Sequence, residues 1–95
     1  MTIYIKNGFV VSPEGASAMD VLIDGEKIAA VIAPGDTTLG SSLEANADRV
    51  FDASGKYVIP GGIDAHTHME LPFGGTFASD TFETGTAAAA WGGTT

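Results

Sequence analysis

Two histidines separated by one residue are the part of the sequence best suited to chemistry. On a β-strand, side chains at positions i and i+2 point to the same face, so His66 and His68 would face one ion. Their Cα atoms would lie about 6.6 Å apart, a span that two Zn–N bonds of about 2.0–2.1 Å bridge once the side chains converge. Asp64 has the same parity and is predicted to face the same side. The pattern predicts a metal-binding strand end.

A His-x-His pair also occurs by chance on loops, and the pair alone does not separate the two interpretations. The flanking residues favour metal binding. A Pro-Gly-Gly break at residues 60–62 precedes the predicted strand, and Gly74 and Gly75 lie in the loop that follows. Ligand-bearing strand ends of β/α proteins have this context.

The sequence around the histidines resembles a known motif. PGGIDAHTH at residues 60–68, continued by MELPFGGT at residues 69–76, is similar to the first-strand motif of the amidohydrolase superfamily, and within it to the dihydropyrimidinase/hydantoinase branch. The His-x-His element is shared across the superfamily, whereas the continuation is more specific to this branch. Short strands like residues 3–6 and 9–11, before an Asp-Gly turn like that at Asp24, also open members of this family. The resemblance covers nearly the whole chain.

The resemblance implies a hydrolase with a binuclear zinc centre. His66 and His68 would hold the more buried metal, and Asp64 would orient its neighbours without being a ligand. The other implied ligands are a carboxylated lysine that bridges the two zinc ions, two further histidines and an aspartate, all outside these 95 residues. The implied reaction is hydrolysis of a 5,6-dihydropyrimidine or hydantoin to an N-carbamoyl amino acid, in pyrimidine degradation. The distant aspartate would carry the proton to the leaving nitrogen.

The loop after His68 bears on the substrate. By the same resemblance, the dihydroorotase branch has an arginine at the position of Glu70, and that arginine grips a substrate carboxylate. Glu70 therefore disfavours a substrate with a free carboxylate. Leu71 and Phe73 resemble the loop that contacts the exocyclic substituent in hydantoinases, although a hydrophobic plug under a lid explains them equally well. The two glycines that follow indicate a flexible loop.

Charge and composition exclude several partners. Four Lys and Arg against twelve Asp and Glu give a net charge of −8, which argues against nucleic acid and anionic membranes because like charges repel. The absence of cysteine fits a reducing cytoplasm, and no apolar run has signal-peptide or membrane-spanning length. We expect a cytoplasmic protein with a small cyclic amide as its substrate, and the resemblance implies a homo-oligomer, a tetramer.

The first half of the chain predicts β-hairpins. One hairpin is expected over residues 3–11 with its turn at Asn7 and Gly8, which both tolerate positive φ. After a turn at residues 13–15, a second hairpin is expected over residues 19–32 with its turn at Asp24 and Gly25. Residues 34–48 are interpreted as a loop, interrupted at most by a helical turn at residues 42–46, before a strand at residues 49–52. By resemblance, residues 1–54 belong to a small β-sandwich.

The last third predicts a strand, a helix and the start of a new strand. Asp80 and Glu83 have the spacing of a capping box, a helix is expected over residues 84–91, and Trp91 is predicted to pack in a core. Such βαβ steps build parallel barrels, so residues 55–95 are expected to begin a TIM-type β/α barrel in an α/β fold with a β-rich N-terminus. Because such a barrel needs about 250 residues, we expect an N-terminal segment of a longer enzyme that is inactive alone.

Two other classes stay open. Beside the dihydropyrimidinase/hydantoinase interpretation, the chain could belong to another amidohydrolase, such as an allantoinase, a deacetylase or an aminohydrolase, or to a non-catalytic scaffold relative of this branch. Intact His66 and His68 count against the scaffold, because a scaffold has no chemical need for paired ligands.

Overall fold

The structure is a computed structural model that describes residues 1–34 and 37–95, and it contains two compact units, Met1–Ile59 and Pro60–Thr95. The elements of the first unit are β1 Thr2–Ser12, β2 Gly15–Asp24, β3 Lys27–Ile32, α1 Thr37–Asn46, β4 Arg49–Asp52 and β5 Tyr57–Val58. Those of the second unit are β6 Pro72–Phe73, β7 Thr76–Phe77 and α2 Phe82–Trp91. The chain is thus β-rich with few helices. None of the helices in the described part is long and apolar enough to cross a membrane.

The first unit is a mixed sheet in the order β3-β2-β1-β4, with β5 also paired to β1. The contacts β1–β2 and β2–β3 are antiparallel, whereas β4 and β5 both run parallel to β1. The predicted turn at residues 13–15 is confirmed, since Ser12 pairs with Gly15. The next loop consists of Gly25 and Glu26, one residue later than predicted, because Asp24 pairs with Lys27. The predicted strand at residues 49–52 is β4.

The predicted hairpin turn at Asn7 and Gly8 is wrong, because both residues lie inside the continuous strand β1. The register with β2 shifts between Ile5 and Gly8, and Asn7 has a φ of 60°. The Asn7 amide donates to Asp20 Oδ1 at 2.8 Å, and its side chain donates to Asp52 Oδ1 at 3.1 Å. Asparagine tolerates the left-handed backbone conformation that a turn requires, and here the same conformation produces a β-bulge. The polar groups of Asn7 at the bulge are hydrogen-bonded to residues of the neighbouring strands.

Tyr4 is the centre of the small core of the first unit. Its side chain is 1% exposed, and its hydroxyl donates to Asp20 Oδ2 at 2.7 Å. Helix α1 packs above it at Gly40, where an added Cβ would lie 3.1 Å from the Tyr4 oxygen. Lys6 Nζ donates to Glu44 Oε1 of the same helix at 2.6 Å. These contacts tie α1 to the sheet.

The prediction of a loop over residues 37–48 is wrong, because α1 occupies most of that segment. Its sequence is rich in threonine, serine and glycine, which have weak helix propensity. The helix is held by its contacts with Tyr4 and Lys6 of β1, and tertiary contacts of this kind, on which most protein helices depend, are not visible in local composition. The predicted helical turn at residues 42–46 lies within α1. Gly35 and Asp36 of the predicted loop lie outside the described residues.

The second unit is organised around α2. Thr81 caps the helix: its hydroxyl accepts from the Thr84 amide at 3.1 Å, and the Thr84 hydroxyl accepts from the Thr81 amide at 3.0 Å. The predicted cap at Asp80 is therefore one residue early, because two threonines form the reciprocal box. The helix ends as predicted at the glycines. Gly93 has a φ of 89°, and Thr94 donates to the Ala89 carbonyl at 2.9 Å, which is a Schellman motif.

The structure also differs from the sequence predictions for Trp91 and for the boundary between the two halves of the chain. Trp91 is 93% exposed rather than packed in a core. The division between the units falls after Ile59, since Tyr57 and Val58 pair with β1. The assignment of residues 1–54 to a β-sandwich and 55–95 to a barrel stays a prediction.

Candidate functional site

The imidazoles of His66 and His68 lie side by side in the second unit. Their Nε2 atoms are 2.8 Å apart, and their ring centroids are 4.8 Å apart with the planes tilted by 42°. Both side chains are exposed. The structure thus brings together the two nitrogen donors that the sequence singled out.

The segment that carries the histidines is a bend rather than the predicted strand. Asp64 Oδ1 accepts a hydrogen bond from the His66 backbone amide at 3.0 Å, which is the geometry of an Asx turn. This hydrogen bond, followed by one from the Thr67 side chain, lowers the pKa of Asp64 below its ordinary value. The convergence of the rings therefore arises from a local turn held by Asp64, and not from strand parity.

The strand prediction fails for lack of neighbours. Gly62 pairs in parallel with Thr94, donating to the Gly93 carbonyl at 2.7 Å and accepting from the Thr95 amide at 2.9 Å. Beyond Gly62, residues 63–70 pair with no strand in the described part of the chain. Parallel strands are stable when both faces are covered and both edges are paired. A single bridge does not extend the strand to the histidines.

The histidine pair fits part of a zinc site. Two Zn–N bonds at a tetrahedral angle place the donor nitrogens about 3.3 Å apart, so the 2.8 Å separation of the Nε2 atoms would open by about 0.5 Å. Imidazole nitrogen is a preferred zinc ligand. Within residues 1–34 and 37–95, no group of three or more acidic or histidine side chains is placed to hold a metal. The described residues therefore bring two nitrogen donors together at His66 and His68.

A pair of open, mostly apolar clefts borders His68. One, of about 870 Å³, is lined by Asp64, His68, Leu71 and the inner face of α2. The other, of about 440 Å³, is lined by His68, Leu71, Phe73 and Phe77. Leu71 is 39% exposed and Phe73 is 81% exposed. The structure therefore places both predicted substrate-contact residues beside one of the histidines.

The segment after Glu70 is a hairpin rather than the flexible loop expected from its glycines. Gly74 and Gly75, with φ of 59° and 81°, form the two-residue turn between β6 and β7. A Gly-Gly pair between short apolar segments is a known hairpin signal. Phe77, which sequence reasoning missed, pairs with Pro72 and lines the second cleft.

Comparison with known proteins identifies relatives along the chain. No family model matches it. A D-hydantoinase from Streptomyces coelicolor is 56% identical over 91 residues, which cover 96% of this chain and 19% of the relative. A dihydropyrimidinase from Rattus norvegicus is 43% identical over 95 residues, covering 96% of this chain and 17% of the relative. The chain thus spans about a fifth of these relatives.

Solved structures agree with the sequence comparison. The crystal structure of a dihydropyrimidinase from Brevibacillus agri matches with a TM-score of 0.82 and 50% identity, over 100% of this chain and 19% of that one. An L-hydantoinase from Arthrobacter aurescens matches 74% of this chain with a TM-score of 0.57 and 33% identity. The resemblance to the dihydropyrimidinase/hydantoinase branch is confirmed.

Proposed function

Because this chain is homologous to the D-hydantoinases and dihydropyrimidinases, we propose that it is the N-terminal part of a longer cyclic amidase. The substrate would be a 5,6-dihydropyrimidine or a hydantoin, and the product an N-carbamoyl amino acid. Identity of 42–56% with proteins of these names supports the proposal, as does the approach of the two imidazoles to 2.8 Å. We call the proposed complete protein the longer enzyme.

We propose that His66 and His68 hold one zinc ion of a binuclear centre. The carboxylated lysine, two further histidines and aspartate of that centre would come from later strands of a β/α barrel in the longer enzyme. Zinc bound there would supply Lewis acidity and an activated water at neutral pH. The proposal is supported by the exposed side chains of His66 and His68, whose Nε2 atoms are separated by a distance close to that of two nitrogen ligands of one zinc ion.

Asp64 would act on the histidines without binding the metal. Its carboxylate accepts from the His66 amide at 3.0 Å, so it fixes the turn that brings the rings together. Its pKa is lowered by that hydrogen bond first and by the Thr67 side chain second, so the charged form is favoured. A charged acceptor on the backbone of a ligand residue orients that ligand. This is how Asp64 would hold the pair in place.

Substrate selection would come from the apolar clefts beside His68. Leu71 lines both of them, and Phe73 lines the smaller one. An apolar wall suits the ring and its 5-substituent. Glu70, at the position where the dihydroorotase branch has an arginine, offers no cation to a substrate carboxylate. We therefore propose neutral cyclic amides as substrates.

The proposal is tested by ring opening of dihydrouracil and hydantoin by the longer enzyme, with the isolated 95-residue chain measured beside it in the same zinc-containing buffer. We expect turnover by the longer enzyme only. The isolated chain should be inactive because two imidazoles leave zinc short of ligands and the rest of the site is missing. Turnover by the chain within about tenfold of the longer enzyme would overturn the assignment of the missing ligands. No turnover by the longer enzyme, with activity on allantoin instead or none at all, would overturn the substrate class.

A further inference from the structure

Glu70 has a backbone conformation that is costly for its residue type. It stands between the histidine segment and the β6–β7 hairpin, and its φ is 54°. Glycine adopts such a left-handed conformation freely, whereas a residue with a Cβ does so at a cost. A glutamate at this position therefore needs a reason beyond the turn itself.

Two hydrogen bonds of Glu70 provide that reason. Its backbone amide donates to the Asp80 carbonyl at 2.9 Å, and its Oε1 accepts from the Phe82 amide at 3.2 Å. The first bond joins the residue before the β6–β7 hairpin to a residue after it. The second bond joins the hairpin to the first turn of α2. A single residue thus connects the hairpin and the helix.

The Phe82 amide is one of the N–H groups at the start of α2 that has no partner inside the helix. The threonine box serves the Thr84 and Thr81 amides instead, so the two sets of contacts do not duplicate each other. A carboxylate at a helix N-terminus also interacts favourably with the helix dipole. The carboxylate of Glu70 is therefore suited to this place by its charge as well as by its position.

We propose that Glu70 is a positioning residue for substrate selection. It holds the β6–β7 hairpin against the N-terminus of α2 and thereby fixes Leu71 and Phe73 relative to His68. This inference rests on the proposed function, because it assigns the selectivity of that same site. Glu70 contacts neither the metal ligands nor the substrate in this role.

The test uses three variants of the longer enzyme, Glu70→Gln, Glu70→Ala and Glu70→Gly, with Glu83→Ala as a matched control. Glutamine keeps an acceptor for the Phe82 amide, alanine removes it, and glycine removes it while relieving the backbone. Glu83 lies in the same first turn of α2, and in the described part of the chain no hydrogen bond to its carboxylate is seen. The measurements are KM and kcat for 5-phenylhydantoin and dihydrouracil, zinc content, and amide hydrogen exchange of residues 80–84.

For the alanine and glycine variants we expect KM for 5-phenylhydantoin to rise about tenfold, and exchange at the helix start to accelerate about tenfold, as loss of a hydrogen bond to a charged group implies. Their kcat for dihydrouracil and their zinc content should stay within about twofold of the parent. The glutamine variant should recover most of both changes. The control should leave KM unchanged and accelerate exchange by no more than about threefold, because it loses only the interaction with the helix dipole. Full recovery by glycine would show that only the backbone matters and would overturn the proposal, as would an unchanged KM in the alanine variant.

The two proposals fail in different ways. If the parent enzyme opens neither ring, the proposed function is wrong, and the exchange of the Phe82 amide still decides whether Glu70 holds the hairpin. If the parent opens both rings and the Glu70 variants keep its substrate preference, the positioning role is wrong and the function stands.

Discussion

Leu71 and Phe73 differ in how they meet the histidine site, although they are only two residues apart. Leu71 is partly covered and lines both clefts beside His68, whereas Phe73 is 81% exposed and lines only the smaller cleft. A side chain that lines both clefts affects the shape of the site more than one that lines a single cleft. Leu71 is therefore the better candidate for discriminating between substituents.

Replacing Leu71 by alanine in the longer enzyme should change the preference for a bulky 5-substituent over the unsubstituted ring by about tenfold or more, in line with the loss of several methylene contacts. Phe73→Ala should change it less. The measurement is the ratio of kcat/KM for 5-phenylhydantoin to that for dihydrouracil, with dihydrouracil as the internal control. Equal losses on both substrates would reject a selective role for these residues.

At this scale, the sequence predicted that the two histidines converge, and they do so for a different reason than the predicted strand. His66 and His68 do approach each other, but through the Asx turn at Asp64. A turn of this kind depends on which backbone amide a carboxylate reaches, and the spacing of the histidines carries no information about that. The contact of Glu70 with the Phe82 amide is equally hidden, because it joins residues on two separate elements.

Helix α1 contacts the sheet beside the buried ring of Tyr4 and through the Lys6–Glu44 ion pair. The Tyr4 hydroxyl donates to Asp20 Oδ2 at 2.7 Å while Gly40 of the helix lies directly above it. A hydrogen bond from a buried hydroxyl to a carboxylate stabilises more than one between exposed groups. This contact joins β1 to β2 beneath the helix.

The element-scale prediction is that Tyr4→Phe lowers the free energy of unfolding of the first unit by about 1 to 2 kcal/mol. The matched control is Tyr57→Phe, since Tyr57 is 73% exposed and should lose less than about 0.5 kcal/mol. Urea unfolding followed by circular dichroism measures both differences. Equal stability of the two variants would show that the buried hydrogen bond contributes nothing.

Strands β2, β3 and β4 were largely predictable, since short apolar runs with valine or isoleucine, separated by turn residues, mark them. The exceptions have physical causes. Asn7 and Gly8 suit a bulge as well as a turn. The hydrogen bonds that Asn7 donates to Asp20 and Asp52 favour the bulge, and the local sequence does not reveal them. Side-chain hydrogen bonds, from Ser54 first and from Asn7 second, lower the pKa of Asp52 to about 2. Helix α1 depends on packing that local composition does not reveal.

The molecule as a whole leaves much apolar surface uncovered in each unit. In the first unit Ile28, Tyr57 and Ile59 are 67%, 73% and 66% exposed. In the second unit Ile63 is 88% exposed and Trp91 is 93% exposed. Large exposed apolar side chains of this kind usually mark surfaces that another part of a structure covers. They support the proposal of a longer enzyme, in which these faces would be covered.

The most direct test of the central claim is the zinc content of the longer enzyme with and without the histidine pair. Elemental analysis should find about two zinc ions per chain in the parent. The double variant His66→Ala/His68→Ala, compared as protein that elutes and unfolds like the parent, should lose bound zinc and ring-opening activity together. Glu83→Ala should retain both. A double variant that keeps the full zinc content of the parent would contradict the assignment of His66 and His68 as metal ligands.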